Sequence, residues 1–140
     1  EFTRFNAKSG NINLVHSEIF DFTTDKRFDV ITMFGIMHYF DEMQAAAVYK
    51  KYVPFLKPDG VLIVKNQFGL REDVTVDGFS SELNADYYSQ YRQTGKEIAL
   101  LRSMGLSSVE IIDIYPPEYN RWENTHFYAL VGTLGQERAD

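Results

Sequence analysis

The sequence predicts an α/β fold with a mostly parallel sheet, and three observations predict it. Phe28-Asp29-Val30-Ile31-Thr32-Met33-Phe34 is a nearly continuous apolar run, as expected of a strand buried on both faces. A second such run, Val61-Leu62-Ile63-Val64-Lys65, follows later in the chain. Between and after these runs apolar residues recur at helical spacing, at Val48, Tyr52, Phe55 and Leu56 and again at Ile98 and Leu101.

Taken in order, the opening EFTRFNAKSG reads as the end of a helix stopped by Gly10, since glycine suits the left-handed position after a helix. Asn13-Leu14-Val15 is expected to be a short strand, followed by the strand Phe28–Phe34. After Gly35 the period changes. Asp41 can cap a helix, with Glu42 in a first turn where the helix dipole favours negative charge. Pro54 lacks an amide donor and should weaken that helix shortly before Lys57-Pro58-Asp59-Gly60. This tetrad reads as a turn, Pro fixing φ and Gly supplying a positive φ, that leads into the strand Val61–Lys65. Residues 66–93, rich in Tyr, Asn, Ser and Asp, are expected to be the least regular stretch. Thr94-Gly95-Lys96-Glu97 reads as a capping box opening a helix that stops at Gly105. Val109–Tyr115 and His126–Thr133 read as strands, most simply antiparallel, joined through Pro116-Pro117 and a polar loop. The expected order is α-β-β-α-β-α-β-β.

Composition narrows the functions. A length of 140 residues suits one domain over 1–140, and 44% apolar with 15% aromatic content argues against disorder. With no cysteine there are no disulfides, thiolate zinc sites, iron–sulfur clusters or cysteine nucleophile. No apolar run approaches the roughly 20 residues of a membrane helix, and no signal peptide is visible, so no membrane partner and a cytoplasmic location are expected. A net charge of −6, from 14 Lys+Arg against 20 Asp+Glu, disfavours nucleic-acid backbones. His16, His38 and His126 do not share metal-ligand spacing, so no metal site is expected.

Several residues are placed where chemistry would want them. His38 follows the Phe28–Phe34 strand, and an imidazole titrating near neutrality suits a general base taking a proton from a hydroxyl; packing within the turn is the alternative role. Tyr87, Tyr88, Tyr91 and Arg92 form a cluster of aromatic faces and a planar cation, suited to sugars, carboxylates or phosphates. Tyr87 and Tyr91, four residues apart, would equally serve one face of a helix closing over the core. Asn66, Gln67, Trp122 and Asn124 are candidates to join them. Asp29 opens a buried-looking strand and is expected to be paired by backbone amides.

Phe28-Asp29-Val30-Ile31, then Ile36-Met37-His38-Tyr39-Phe40, then Leu56-Lys57-Pro58-Asp59-Gly60-Val61-Leu62-Ile63-Val64 occur in this order. From about Asn11 to Leu134 the chain resembles the C-terminal two-thirds of a class I, Rossmann-like S-adenosylmethionine-dependent methyltransferase. Val76-Asp77-Gly78-Phe79-Ser80, with Tyr91-Arg92 and Asn124-Thr125-His126-Phe127, is similar to methyltransferases of sugar or surface-polysaccharide pathways. One departure is plain: no two glycines stand as G-x-G, the family's cofactor-binding turn. The resemblance therefore implies a partial domain, lacking the first two strands of the family fold and ending in an antiparallel pair. Either a preceding segment of a longer enzyme completes it or a half-domain pairs with another chain, for example as a homodimer. In the family order 3-2-1-4-5-7-6, the strand Phe28–Phe34 would then expose a long edge.

The resemblance also implies a function: methyl transfer from S-adenosylmethionine to a small-molecule acceptor, at an oxygen rather than a nitrogen or carbon, by in-line displacement. It implies that Glu18 accepts from the adenine amino group and that Ile19 packs on the ring, Asp21 being the competing register. Met33, Phe34 and Gly35 would line the cofactor at the strand end. Tyr87, Tyr91 and Arg92 are the expected acceptor contacts, and His38 the expected catalytic group. A different reading is a non-catalytic methyltransferase-like module that binds a partner and no cofactor. A nucleotide-binding enzyme of other chemistry lacks its phosphate loop, since GxxxxGK[ST] does not occur.

Overall fold

The apolar run Phe28–Phe34 forms β1 in a computed structural model that describes residues 12–136, so the helix expected to end at Gly10 lies outside the described residues. β1 pairs in parallel with β2, Leu56–Gly69. Along the other side of β2 runs β6, Thr125–Leu134, antiparallel, and beyond it β5, Leu106–Asp113, antiparallel again. The order is β1-β2-β6-β5. The sheet is therefore mixed rather than mostly parallel, because the neighbour of β2 is the strand that returns at the end of the chain. The last two strands are antiparallel as expected, although each begins earlier than the sequence pattern indicated.

Alternation along the strands decides where the core lies. Met33, Leu62, Val64, Phe68 and Leu130 point to one face. There they meet Ala45, Val48 and Tyr49 of α1, Glu42–Tyr52, and Leu101 of α2, Thr94–Ser103. Val30 and Phe34, which alternate with Ile31 and Met33, face the other way and stay about half exposed. Among the described residues, β1 has no strand along its outer edge. Asn13–Val15 forms no strand; Leu14 and Val15 are exposed and belong to no ladder.

Both helices start on side-chain caps. Asp41 accepts from the Gln44 backbone N–H at 2.8 Å, and the Gln44 side chain accepts from the Asp41 N–H at 3.1 Å. In α2 the cap is Gln93, accepting from the Lys96 N–H at 3.1 Å, and the expected Thr94–Glu97 box is not formed. Glu97 is fully buried instead, its carboxylate turned to the guanidinium of Arg92. Gly105, at φ +97°, ends α2 in the left-handed conformation.

The Lys57-Pro58-Asp59-Gly60 turn lies inside β2 as an irregularity against β1, between the pairs Phe28↔Leu56 and Val30↔Val61. Its positive φ, +62°, falls on Asp59 rather than on Gly60. Gly60 is there for space: a Cβ would stand 2.7 Å from the Lys57 carbonyl oxygen. Asp29 is not buried and not held by amides; its side chain is 82% exposed and meets the Lys57 ammonium at 3.3 Å.

Residues 66–93 differ most from expectation. β2 continues through Gly69, and β3, Val74–Ser80, and β4, Ala85–Tyr91, form an antiparallel hairpin in a sheet of their own. The hairpin joins the main sheet region at the bridge Gly69↔Gln93. Among the described residues no helix is long and apolar enough to cross a membrane.

Candidate functional site

β1 and β2 run parallel, so their C-terminal ends share one sheet edge, the edge where ligands bind in open α/β sheets. The hairpin stands beside that edge, and the two enclose a cavity of about 580 Å³, within the usual range for a small-molecule site. Gly35 sits at its margin. Its φ of +67° turns the chain off β1, and a Cβ there would meet nothing within 4 Å.

The cavity brings together groups far apart in the chain: His38 from the 3₁₀ turn Met37–Tyr39, Lys65, Asn66 and Gln67 from β2, Tyr87 and Tyr91 from β4, and Trp122. Its aromatic wall is hydrogen-bonded. The Trp122 indole N–H donates to the Tyr91 hydroxyl at 3.0 Å, and the Tyr87 and Tyr91 hydroxyls are 3.0 Å apart. Burial, helped by the bond to Tyr87, pushes the Tyr91 pKa up to about 12, so this hydroxyl stays neutral. Gln67 donates to Thr125, whose hydroxyl donates to the Trp122 carbonyl, fixing the loop that presents the indole.

His38 lies 4.1 Å from the Tyr39 ring and 5.5 Å from the Tyr91 ring, centroid to centroid. Its Nδ1 is 3.0 Å from the Asn66 side-chain amide. Burial holds the imidazole below its ordinary pKa of 6.5; the positive charge of Arg92 acts in the same direction, and a bond from Nδ1–H to Asn66 would oppose both.

Arg92 does not line this cavity. Its guanidinium is buried beneath, with Nε 2.5 Å from Glu97 Oε2 and a second nitrogen donating to the Met37 carbonyl at 2.9 Å. It also donates to the Phe40 carbonyl, and the Tyr49 hydroxyl donates to Glu97. Arg92 thus ties the turn carrying His38 to α1 and α2, and its donors are engaged within the fold rather than offered to an acceptor. Tyr88 and Asn124 also lie outside the cavity lining.

Of the residues expected at the cofactor, Gly35 alone lines the cavity. Met33 is 3% exposed with its side chain in the core, leaving only its backbone to offer, whereas Phe34 is half exposed at the strand end. Glu18 is exposed and begins a turn, its carbonyl accepting from the Asp21 and Phe22 N–H groups. Ile19 packs on the core, and its carbonyl accepts from the Tyr52 hydroxyl at 2.7 Å. His126 is a structural tie between Asp113, at 2.7 Å, and Asn120, at 3.0 Å. No group of three or more His, Asp or Glu among the described residues is placed to hold a metal.

Sequence reasoning missed Tyr39, Phe79, Leu83 and Lys65 in the lining. For Lys65 a signal existed: a cation closes an otherwise apolar strand run, at the end where ligands bind.

No protein-family model matches the chain, and no curated protein matches it. Solved structures do. A Burkholderia thailandensis 1,6-didemethyltoxoflavin N1-methyltransferase, with its substrate and S-adenosylhomocysteine bound, superposes with a TM-score of 0.73 at 13% identity, covering 96% of this chain and 56% of the other. The N-terminal domain of EvdMO1, solved in the presence of S-adenosylhomocysteine and D-fucose, gives 0.67 at 14%, covering 95% and 59%. An O-methyltransferase family protein from Burkholderia thailandensis gives 0.65 at 15%, covering 97% and 41%. The chain thus spans about half the length of these proteins. At such identities the likeness is one of architecture: this chain has the α/β fold of S-adenosylmethionine-dependent methyltransferases.

Proposed function

We propose that this chain is part of an enzyme that transfers a methyl group from S-adenosylmethionine to an oxygen of a small acceptor bound in the cavity. The observation that carries this reading is the cavity itself, opening at the end of β1 on a methyltransferase architecture and walled by hydroxyls and aromatic rings. The residues present fit one wall of a cofactor site. Gly35 leaves open ground where a side chain would stand, and the half-exposed Phe34 ring offers an apolar surface beside it. Glu18 and Ile19 would face the adenine end. The cofactor would supply an electrophilic methyl carbon. This chain's residues orient the acceptor between Tyr87, Tyr91 and Trp122 and shield it from water, so positioning supplies most of the catalysis.

The order β1-β2-β6-β5 corresponds to the last four strands of the family order, so this reading makes the chain the C-terminal portion of the enzyme. The edge of β1 would be completed by a preceding segment or by a second copy. A sugar-pathway acceptor, suggested by the likeness of Val76–Ser80 in the cavity wall and by the D-fucose present with EvdMO1, would bring an alcohol that needs a base, whereas an acceptor with no proton to lose would not. A non-catalytic module is the second reading, favoured by the absence of a G-x-G turn from the sequence.

Calorimetry with S-adenosylhomocysteine tests the cofactor assignment. Glu18→Ala should weaken binding by about 1–2 kcal/mol, the scale of one hydrogen bond to a charged group. Unchanged affinity would move the role to Asp21 or remove the acid altogether. No binding by a protein with a complete sheet would favour the module.

A further inference from the structure

We propose that His38 meets the acceptor as a hydrogen-bond donor through Nε2 rather than as a base, and that the acceptor oxygen arrives already ionised on an aromatic ring, with Lys65 as its counter-charge. The proposal rests on the methyl-transfer reading and specifies the substrate class of that site.

The first observation is the Asn66 amide. With its oxygen accepting from the His38 backbone N–H at 3.2 Å, its nitrogen donates to His38 Nδ1 at 3.0 Å and to the Lys65 carbonyl at 3.3 Å. Reversed, the amide nitrogen would face that N–H and the amide oxygen would face that carbonyl, two pairs of like groups. The network therefore selects the first orientation, as amide assignments require. A neutral imidazole has one donor and one acceptor nitrogen. Nδ1 is the acceptor here, so the proton is on Nε2, and neither nitrogen is free to take another from a substrate. Burial and the charge of Arg92 both disfavour the charged ring.

No other group around the cavity replaces it as a base. Tyr91 holds its proton to about pH 12. Glu82, largely exposed, is paired with Arg121 at 3.2 Å. An acceptor with an ordinary alcohol would find no buried base to take its proton. An ionised oxygen needs no base: it attacks the methyl carbon, the C–O bond forms as the C–S bond breaks with its pair going to sulfur, and no proton leaves.

The second observation is Lys65. Its ammonium lies 5.1 Å from the Phe34 ring centroid and 5.8 Å from that of Tyr115, and the side chain lines the cavity half buried. Among the described residues no carboxylate lies within ion-pair distance of it. A cation held among aromatic rings without a counter-ion attracts an anion more strongly than one in bulk water, where the dielectric weakens the pair. The walls of Tyr39, Tyr87, Tyr91 and Trp122 favour a flat ring as the carrier of that anion.

Two measurements on the purified protein test this without turnover. Long-range proton–nitrogen correlation spectra of ¹⁵N-labelled protein at about pH 8, above the ordinary histidine pKa, with His38 assigned by its loss in His38→Gln, should show a protonated Nε2 and a bare Nδ1. The opposite tautomer would overturn the donor role. Calorimetry at low salt should show benzoate binding at least about tenfold tighter than its uncharged analogue benzamide. Lys65→Met, and Lys65→Gln should the first variant fold poorly, should erase the preference and leave benzamide binding unchanged. Equal affinities, or no binding of either, would overturn the anionic acceptor. S-adenosylhomocysteine binding is read separately, on a protein with a complete sheet: its absence there alongside both expected results would remove the methyl-transfer reading while leaving an anion-selective aromatic pocket.

Discussion

Replacing Glu97 by Gln conserves shape and removes one charge from the most deeply buried polar cluster described. The two side chains of the Arg92–Glu97 pair are 2% and 0% exposed, so the remaining guanidinium would have neither water nor a counter-ion. It would keep the Met37 and Phe40 carbonyls, and Tyr49 could still donate to the Gln oxygen, so the loss is mainly one of charge. Removing one partner of a buried pair costs about 3–5 kcal/mol, a large part of the roughly 5–15 kcal/mol that stabilises a domain. The solvated Asp29–Lys57 pair, 82% and 51% exposed, should cost no more than about 1 kcal/mol when broken. Urea unfolding of Glu97→Gln should show a lower midpoint at unchanged slope. The double variant Arg92→Met, Glu97→Leu, with no buried charge left, should lose less than the single one. A cost below about 1 kcal/mol for Glu97→Gln would mean that the pair is solvated and that Arg92 does not hold the turn carrying His38.

Two further outcomes follow from burial and from the sheet edge. Burial first, then the charge of Glu97, holds the Tyr49 pKa well above 10, so the unfolded chain loses this proton before the folded one does; stability is fully present below pH 10 and falls as pH rises beyond it. Tyr49→Phe should flatten that alkaline decline in pH-dependent melting, and an unchanged slope would place the loss elsewhere. The edge of β1, unpaired among the described residues and with Val30 and Phe34 half exposed beside it, should make the 140-residue chain self-associate in sedimentation velocity; a monodisperse monomer would refute this.

Much of the scaffold was legible because its signals are local. Phe28–Phe34 is apolar at nearly every position, and Asp41 and Gly105 mark helix ends through their own chemistry. The hairpin was not legible. β4 is made of Tyr, Asp, Ser and Gln because one side faces a cavity rather than a core, so the alternation that identifies a strand is absent there, and in β3 it breaks off after Val76 at Asp77-Gly78. The Thr94–Glu97 box fails for a related reason: the partner that draws Glu97 inward, Arg92, belongs to residues 66–93, the stretch with no local pattern to place it. At the site, His38, Tyr87 and Tyr91 were legible as side-chain chemistry. That Arg92 faces inward follows from its tertiary partners Glu97 and Met37, and that Lys65 reaches the cavity follows from its place at the sheet edge; neither is written in the local sequence.

Among the described residues the hairpin forms a sheet of its own, and the bridge to the main sheet, Gly69↔Gln93, lies two residues past β4, while the hairpin's side chains form much of the cavity wall. Such an arm can change without disturbing the core behind β2. Substitutions at Val76, Phe79, Leu83 or Tyr87 alter the shape that a ligand meets but leave Leu62, Val64 and Leu130 packed as before. The structure thus separates a conservative scaffold from a variable wall, and exchanging residues 74–91 for the corresponding arm of a structural relative is the direct way to transplant ligand preference onto this sheet.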